Sequence, residues 1–142
     1  PNYAAMIIDY RSSGSKIRFT HQSTYVESTS TISLDTWYHI VCVRESGVIK
    51  LYINGVLESS ATPSADMQIS SSAVATLGAL YFSSTTHGEF NGMLDQFRFY
   101  NGAVNDIGVA ALYAETASDN DDLTLGSPKE TTISAINNTK GR

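Results

Sequence analysis

Cysteine, basic residues and long apolar runs are scarce in this sequence of 142 residues, and each scarcity excludes a class of protein. Cys42 is the only cysteine, which excludes an internal disulfide framework and a thiolate zinc cluster. The 9 lysines and arginines are outnumbered by 14 acidic residues and form no cluster along the sequence, which argues against a phosphate-binding surface and a nucleic-acid partner. No apolar run approaches the length that spans a bilayer, so we expect no membrane insertion.

The residues that are abundant favour one all-β domain. Hydrophobic residues make up 42% of the chain and charged residues only 16%, so a core can be buried. Serine and threonine are frequent, and their β-propensity suits sheets whose outer faces carry hydroxyl groups. The length suits a single domain with one core.

Short β-prone runs separated by turn signals fill the first half of the chain. Residues 4–9, 16–21 and 24–28 are predicted strands. Residues 37–45 are almost entirely apolar, which predicts a central strand covered on both faces. Cys42 lies in that run, and we interpret it as a small buried hydrophobe without a functional role.

The second half combines a hairpin signal, further strands and one helix. Asn54-Gly55 between two β-prone runs predicts a tight hairpin with a type I′ or closely related turn. Residues 75–80 and 90–100 are predicted strands, and residues 67–69 are at most a short one. Residues 104–115 have near-helical apolar spacing with Asn105 available as the N-cap, which predicts the only convincing helix.

Three stretches together resemble the laminin G-like domains of the concanavalin A-like lectin/glucanase superfamily. They are Trp37-Tyr-His-Ile-Val-Cys-Val43, Ile49-Lys-Leu-Tyr-Ile-Asn-Gly-Val56 and Phe90-Asn-Gly-Met-Leu-Asp-Gln-Phe-Arg-Phe-Tyr-Asn101. The resemblance implies an all-β fold: an antiparallel two-sheet β-sandwich of the jelly-roll, concanavalin A-like type, with one short C-terminal helix. We expect this domain over residues 1–117, lacking the N-terminal strands that the family normally has, and an extended tail or linker over residues 118–142.

The resemblance also implies a binding function and no enzymatic activity. Glycoside hydrolysis needs two carboxyl groups at a defined separation, and the Glu-x-Asp-x-x-Glu-like pattern of related hydrolases is missing. We therefore expect a non-catalytic module that binds glycans on a cell or matrix surface, as part of a larger extracellular or virion-surface protein. The first alternative is a structural or assembly module of a virion or surface fibre that contacts neighbouring protein subunits. A further alternative is an accessory domain of a glycan-processing enzyme. The expected location is extracellular, on a cell surface or on a virion surface.

Tyr81, Phe82 and His87 are the candidate ligand-binding residues. They occur among serines and threonines in a predicted loop over residues 81–89. Sugar sites combine an aromatic face, which stacks on C–H groups, with short polar side chains that hydrogen-bond to hydroxyls. The alternative is that Tyr81 and Phe82 only seal the end of the sandwich.

Asp95 is the candidate metal ligand. On the predicted strand it shares a face with Phe97 and Phe99, so its carboxylate needs hydrogen bonds or a metal ion. Capture by loop N–H groups is one interpretation and a bound calcium ion is the other. The run Asp119-Asn-Asp-Asp122 lacks the glycine and distal glutamate of an EF-hand loop and is interpreted as a solvated linker. We expect no required cofactor, with calcium as the one candidate.

Overall fold

The computed structural model describes residues 6–64, 75–82 and 85–118, and within these ranges the chain is built mainly of short antiparallel strands. The described elements, in chain order, are β1 (Met6–Arg11), β2 (Lys16–His21), β3 (Thr24–Glu27), β4 (Ile40–Glu45), β5 (Val48–Ile53), β6 (Val56–Ala61), β7 (Leu80–Phe82), β8 (Thr85–His87) and α1 (Asp106–Ser118).

Two three-stranded antiparallel sheets form the body of the domain. Their strand orders are β1-β2-β3 and β4-β5-β6, so each sheet is a meander of consecutive strands, and β7 and β8 pair as a separate hairpin. Sequential antiparallel strands joined by short turns need no crossover connection. The predicted all-β fold, an antiparallel two-sheet sandwich with one short C-terminal helix, is confirmed.

The main core lies between the two sheets. The first sheet contributes Ile17, Phe19 and Val26, and the second contributes the alternating residues Ile49, Leu51 and Ile53, all of them buried in one cluster. Because side chains on a strand alternate between faces, this spacing directs all three β5 residues toward the first sheet. Burying one such side chain completely contributes about 1.5–3 kcal/mol to stability.

The other face of β4 and β5 is covered by α1. Val43, Tyr52 and Val109 form a second buried cluster there. The Tyr52 hydroxyl donates a hydrogen bond of 2.6 Å to Oδ1 of Asp106. The predicted central strand is therefore apolar on both sides because one side contacts a sheet and the other a helix, and the half-buried Cys42 packs against the main core as predicted.

The predicted Asn54-Gly55 hairpin is confirmed. Both residues have positive φ angles, 51° and 80°, and they join Ile53 to its cross-strand partner Val56, which is the type I′ arrangement. Asn54 also hydrogen-bonds back to the residue before β4: its Oδ1 accepts from the His39 N–H at 2.9 Å, and its own N–H donates to the His39 carbonyl at 2.8 Å. The turn is thereby tied to the start of β4.

A glutamate on β6 joins the two sheets. The Glu58 carboxylate accepts hydrogen bonds from the N–H and the hydroxyl of both Thr29 and Ser30, which follow β3; those from the Ser30 N–H and hydroxyl are 2.8 and 2.7 Å. Burial alone would raise the pKa of Glu58, but these hydrogen bonds favour the charged form and hold the pKa below its usual value.

The helix begins as expected, but its bounds shift. Asn105 is the N-cap as predicted, since its Oδ1 accepts a hydrogen bond of 2.9 Å from the Gly108 N–H. The helix itself covers Asp106–Ser118 and so begins two residues later than the predicted start at 104. A residue at the N-cap has non-helical backbone angles, so the helix can begin only after Asn105. Val104 fits the apolar spacing but precedes the N-cap, which is why the predicted start was too early.

Two predicted strands differ from the structure. The central strand begins at Ile40, and Trp37 before it is 60% exposed. Residues 90–100 lie outside any helix or strand, and Phe97 and Phe99 on this segment are 67% and 79% exposed. A β-strand needs a neighbour to hydrogen-bond with, and within the described ranges the 90–100 segment pairs with none.

The other predicted elements lie only partly within the described residues. The strand expected over residues 75–80 begins only at Leu80. The short strand expected at 67–69 lies outside the described residues, as does most of the expected tail over residues 118–142. The division into a domain over residues 1–117 and a tail stays a prediction.

Candidate functional site

The three predicted ligand-binding residues belong to one hairpin. Tyr81 and Phe82 lie on β7 and His87 lies on β8, so the segment predicted as a loop is a pair of short strands. The register places Leu80 opposite His87 and Phe82 opposite Thr85. The backbone thus brings the candidates together within one two-stranded unit, while their side chains lie outside what the structure describes.

The base of this hairpin is tied by hydrogen bonding and turn geometry. The Phe90 N–H donates a hydrogen bond of 2.7 Å to the carbonyl of Gly78, which joins the chain leaving the hairpin to the chain entering it. Gly78 and Gly88 flank the two strands with φ angles of 80° and 57°, a backbone region in which glycine pays no steric cost. A short hairpin whose two ends are joined by a hydrogen bond is compatible with a recognition loop.

Asp95 lies on the exposed 90–100 segment. Its Oδ1 accepts a hydrogen bond of 2.7 Å from the N–H of the next residue, Gln96, whose φ angle is 49°. The expectation that Asp95 shares an apolar buried face is wrong, because Asp95, Phe97 and Phe99 are all exposed, so water solvates the carboxylate and burial exacts no penalty. A neighbouring N–H therefore contacts this carboxylate, as one of the two interpretations expects.

The described surroundings of Asp95 offer few ligands for a calcium ion. Within the described ranges, no three histidine, cysteine, aspartate or glutamate side chains come together in a way that could hold a metal ion. Calcium takes 6–8 oxygen ligands, so one exposed carboxylate is a poor site by itself. Calcium binding at Asp95 stays a prediction for experiment.

His39 has a structural role, because its ring packs near the helix α1. Its ring lies 5.8 Å from the ring of Tyr113 on α1, with a tilt of 34°. Burial of the imidazole lowers its pKa, and the positive charge of Arg98 lowers it further. A neutral imidazole packed between the central strand and the helix suits this interface.

The outer face of the first sheet holds a charged and aromatic group that sequence reasoning missed. Asp9 on β1 accepts two hydrogen bonds from the Arg18 guanidinium on β2, at 3.0 and 3.1 Å. The Arg18 guanidinium carbon also lies 5.5 Å from the centre of the Tyr25 ring on β3, and Tyr25 is 55% exposed. The alternation of Lys16 and Arg18 with apolar residues was visible in the sequence, but their cross-strand neighbours were not.

Residues 2–110 match a laminin G-type family model described as the concanavalin A-like lectin/glucanases superfamily. The chain belongs to this superfamily. The match covers well over half of the sequence and includes all three stretches on which the resemblance was based. The recognition made from those stretches is confirmed.

One solved structure is similar to this superfamily member. It is the crystal structure of an S-layer domain-containing protein (residues 221–444) from Clostridium thermocellum, with a TM-score of 0.52 and 17% sequence identity. The alignment covers 75% of this chain and 61% of that chain, so this chain spans less than two thirds of the solved structure's length. At this identity the likeness supports the shared fold alone. A comparison with curated proteins gave no match.

The superfamily name covers both lectins and glucanases, so the residues themselves must carry any case for catalysis. Glu45 and Asp106 both contact the Lys50 ammonium, at 3.3 and 3.8 Å, and Asp106 also accepts from the Tyr52 hydroxyl. These partners fix the start of α1 against the sheet. Both carboxylates therefore make structural contacts.

Among the residues that the structure describes, no helix combines the length and the apolar character that a bilayer span requires.

Proposed function

We propose that this chain is a non-catalytic recognition module that binds glycans on a cell or matrix surface, as part of a larger protein exposed outside the cell or on a virion. Superfamily membership over residues 2–110 carries the proposal. The similarly folded protein whose name includes an S-layer domain is a precedent for a surface location and not support for one. The β7–β8 hairpin, which groups Tyr81, Phe82 and His87 on two paired strands, is the proposed binding element.

The chemistry of the hairpin suits a sugar. An aromatic ring stacks on the C–H face of a pyranose, and imidazole and hydroxyl groups exchange hydrogen bonds with its hydroxyls. Thr85 and Thr86 on β8 place two hydroxyl-bearing residues beside the aromatic strand.

A glycan array on the purified chain tests this proposal. The expected result is selective binding that Tyr81→Ala and His87→Ala abolish while the circular dichroism spectrum stays that of the wild type. Trp37→Ala, which changes an exposed aromatic residue before β4, is the matched control and should leave hairpin-dependent binding intact. A well-folded sample that binds no glycan on the array would contradict the proposal.

The same array resolves the calcium prediction. Binding measured with calcium and again with a chelator should be equal if no metal is required, and Asp95→Asn should then have no effect. Binding that needs calcium and is lost in Asp95→Asn would establish Asp95 as a metal ligand, with its remaining oxygen donors supplied from outside the described residues or by the glycan.

Exposed apolar surface favours a second candidate, a structural or assembly module that contacts neighbouring protein subunits. Ile8 on β1 lies opposite Phe19 in the register, so the two share the core-facing side of the sheet. Phe19 is fully buried, whereas Ile8 is 54% exposed and Met6 is 41% exposed. The core-facing side of β1 is therefore left partly open within the described ranges.

The 90–100 segment adds to this exposed surface. Six of its large apolar or aromatic side chains are exposed: Phe90, Met93, Leu94, Phe97, Phe99 and Tyr100. Apolar surface of this kind is typical of protein contacts. We propose that, in the assembled protein, polypeptide covers this surface.

Size-exclusion chromatography with light scattering separates the two candidates. An assembly module should self-associate or bind other domains of its own protein, and the double variant Phe97→Ser/Phe99→Ser should remove that association without loss of stability, because both side chains are exposed. Thr62→Ser, an exposed hydroxyl exchange, is the neutral control. A wild-type chain that is monomeric at high concentration and binds a glycan would contradict the assembly candidate.

A further inference from the structure

The helix α1 is attached to the β4-β5-β6 sheet near both of its ends. At its start, Oδ1 of Asp106 accepts a hydrogen bond of 2.6 Å from the Tyr52 hydroxyl and lies 3.8 Å from the Lys50 ammonium. Toward its other end, the Tyr113 ring lies 5.8 Å from the His39 ring. The two attachments differ in chemistry, because the second involves an imidazole, which titrates near neutral pH.

The backbone holds His39 on the helix side of this sheet. Its N–H donates to Oδ1 of Asn54 at 2.9 Å, and its carbonyl accepts from the Asn54 N–H at 2.8 Å. Side chains alternate along an extended chain, so His39 shares a side with Val41 and Val43. Both valines pack in the cluster that includes Val109 of α1. The imidazole therefore lies between the start of β4 and the helix.

The imidazole has no place for a second proton in this position. Its Nδ1 is buried and has no hydrogen-bond partner among the described residues. Both nitrogens of a protonated ring are donors, so Nδ1 would become a buried N–H without an acceptor. The Tyr113 ring attracts a cation at this distance, but it supplies no acceptor to Nδ1. Protonation of His39 therefore favours separation of the ring from the helix.

The charges near the end of the helix act in the same direction. Arg98, on the 90–100 segment, forms an ion pair of 2.8 Å with Glu115 on α1. Burial lowers the pKa of His39 from its ordinary value of 6.5, and the positive charge of Arg98 lowers it further. Other ionisable groups on this side of the sheet are joined to one another at the start of the helix: Glu45, Lys50, Tyr52 and Asp106.

We propose that His39 is an acid-sensitive latch: in mildly acidic surroundings, a proton on its imidazole loosens the end of α1 from the sheet, while the start of the helix stays attached. The 90–100 segment should loosen together with the helix end, because the ion pair between Arg98 and Glu115 joins the two. The latch involves none of the residues of the β7–β8 hairpin and does not depend on which partner the module binds.

The direction of the pH effect follows from linkage. The pKa of His39 is lowered while the helix end is packed, and it returns toward 6.5 when the end opens and water reaches the ring. Opening therefore becomes more favourable as the pH falls through 6.5, and the effect levels off below the pKa of the packed state. At pH 5.5, one unit below the ordinary pKa, the increase in opening is at most about tenfold.

Hydrogen exchange of the backbone amides, followed by nuclear magnetic resonance at pH 7.5 and pH 5.5, tests the latch on the whole chain. Protection factors of the amides of residues 112–114 should fall about fivefold at pH 5.5, because a buried donor without an acceptor costs a factor of this order. The Val109 N–H, which donates to the Asn105 carbonyl at 2.9 Å, is the internal reference and should keep its protection.

Two histidine variants identify the source of the pH effect. His39→Phe keeps a ring beside Tyr113 but takes up no proton, so its protection factors should be equal at the two pH values. Each variant is compared with itself, so a uniform change in stability cancels. His87→Gln changes a histidine on β8 and should retain the pH dependence of the wild type. Arg98→Gln removes the neighbouring cation and should make the loss of protection smaller.

A titration of the wild-type imidazole carbon resonances gives a measurement that needs no variant. The midpoint for His39 should lie below 6.5, and the amide of Tyr113 should shift with the same midpoint. A midpoint at or above 6.5 would overturn the latch, as would helix-end amides that are unprotected at pH 7.5 or equally protected at both pH values. A loss of the same size at Val109, or one that persists in His39→Phe, would assign the effect to general acid destabilisation and not to His39.

Discussion

Replacing Glu58 should loosen the connection between the two sheets. Its carboxylate accepts four hydrogen bonds from Thr29 and Ser30 across the domain. Hydrogen bonds to charged groups contribute about 1.5–3 kcal/mol each when buried, but this cluster is open to water, so we expect a total of about 1–2 kcal/mol. Glu58→Gln keeps the shape of the side chain, but it removes the charge and turns an amide N–H₂ toward groups that are themselves donors. The free energy of unfolding of the variant should therefore be about 1 kcal/mol or more below that of the wild type.

The pH dependence gives this prediction its sharpest test. The pKa of Glu58 is lowered in the folded state from a reference value of 4.5, so the stabilisation by the ionised form is fully present above pH 4.5. It is lost as the pH falls through the lower folded-state pKa, because below that pKa the carboxyl is protonated in both states. The difference in stability between wild type and Glu58→Gln should therefore be constant from pH 7 down to pH 4.5 and shrink below it.

Urea unfolding followed by circular dichroism measures this difference. Glu89→Gln, a change at an exposed glutamate after the β7–β8 hairpin, is the matched control and should leave stability unchanged. A Glu58→Gln variant as stable as the wild type at pH 7 would show that the carboxylate does not stabilise the contact between the sheets. So would a stability loss of the same size at pH 7 and pH 3, because the ionised carboxylate would then not be its source.

Three further predictions concern the second sheet and its helix. Gly55→Ala adds a Cβ only 3.2 Å from the Tyr113 ring at a φ of +80°, whereas Gly47→Ala has a similar φ strain in open space. Urea unfolding should therefore show a larger loss of stability for Gly55→Ala than for Gly47→Ala. Tyr52→Phe removes the buried hydroxyl that donates to the helix carboxylate at 2.6 Å, and calorimetric unfolding should show a loss of about 1–2 kcal/mol. Burial raises the pKa of the Cys42 thiol, so iodoacetamide at pH 8 should label it only on unfolding; rapid labelling of the folded chain would contradict its place in the core.

Local signals predicted the centre of the fold. Asn54-Gly55 specifies its own backbone geometry, because both residues tolerate the positive φ angles of a type I′ turn. The alternation of Ile49, Leu51 and Ile53 fixes which side of β5 faces the other sheet. The apolar run before this hairpin correctly indicated a strand covered on both sides. These features depend on neighbours along the chain or on one adjacent strand.

Features that depend on residues distant along the chain could not be predicted from the sequence. The 90–100 segment has the apolar composition of a strand, but strand formation requires a partner that composition does not supply, and its aromatic residues are exposed. Trp37 is exposed for a related reason, since it precedes the start of β4. The pairing of Arg11 with Lys16 across two strands could be found only once the register was known.

The sequence predicted that the three candidate residues lie near one another, but it did not predict the backbone structure that carries them. Tyr81, Phe82 and His87 were expected together in a loop, and they lie together in the β7–β8 hairpin. Residues with high β-propensity stand on both sides of residues 83–84: tyrosine and phenylalanine before, threonines after. This pattern was the signal for two paired strands. The expected surroundings of Asp95 were wrong because they depended on the strand over residues 90–100.

Glycan recognition by the β7–β8 hairpin can be followed by nuclear magnetic resonance titration of the ¹⁵N-labelled chain with a glycan selected on the array. We expect saturable shifts of the amide resonances of the β7–β8 hairpin, and no such shifts when Tyr81→Ala is titrated in the same way. Amide resonances that stay unchanged at saturating glycan, or that shift only along the 90–100 segment on dilution and concentration, would contradict glycan recognition and favour the assembly module.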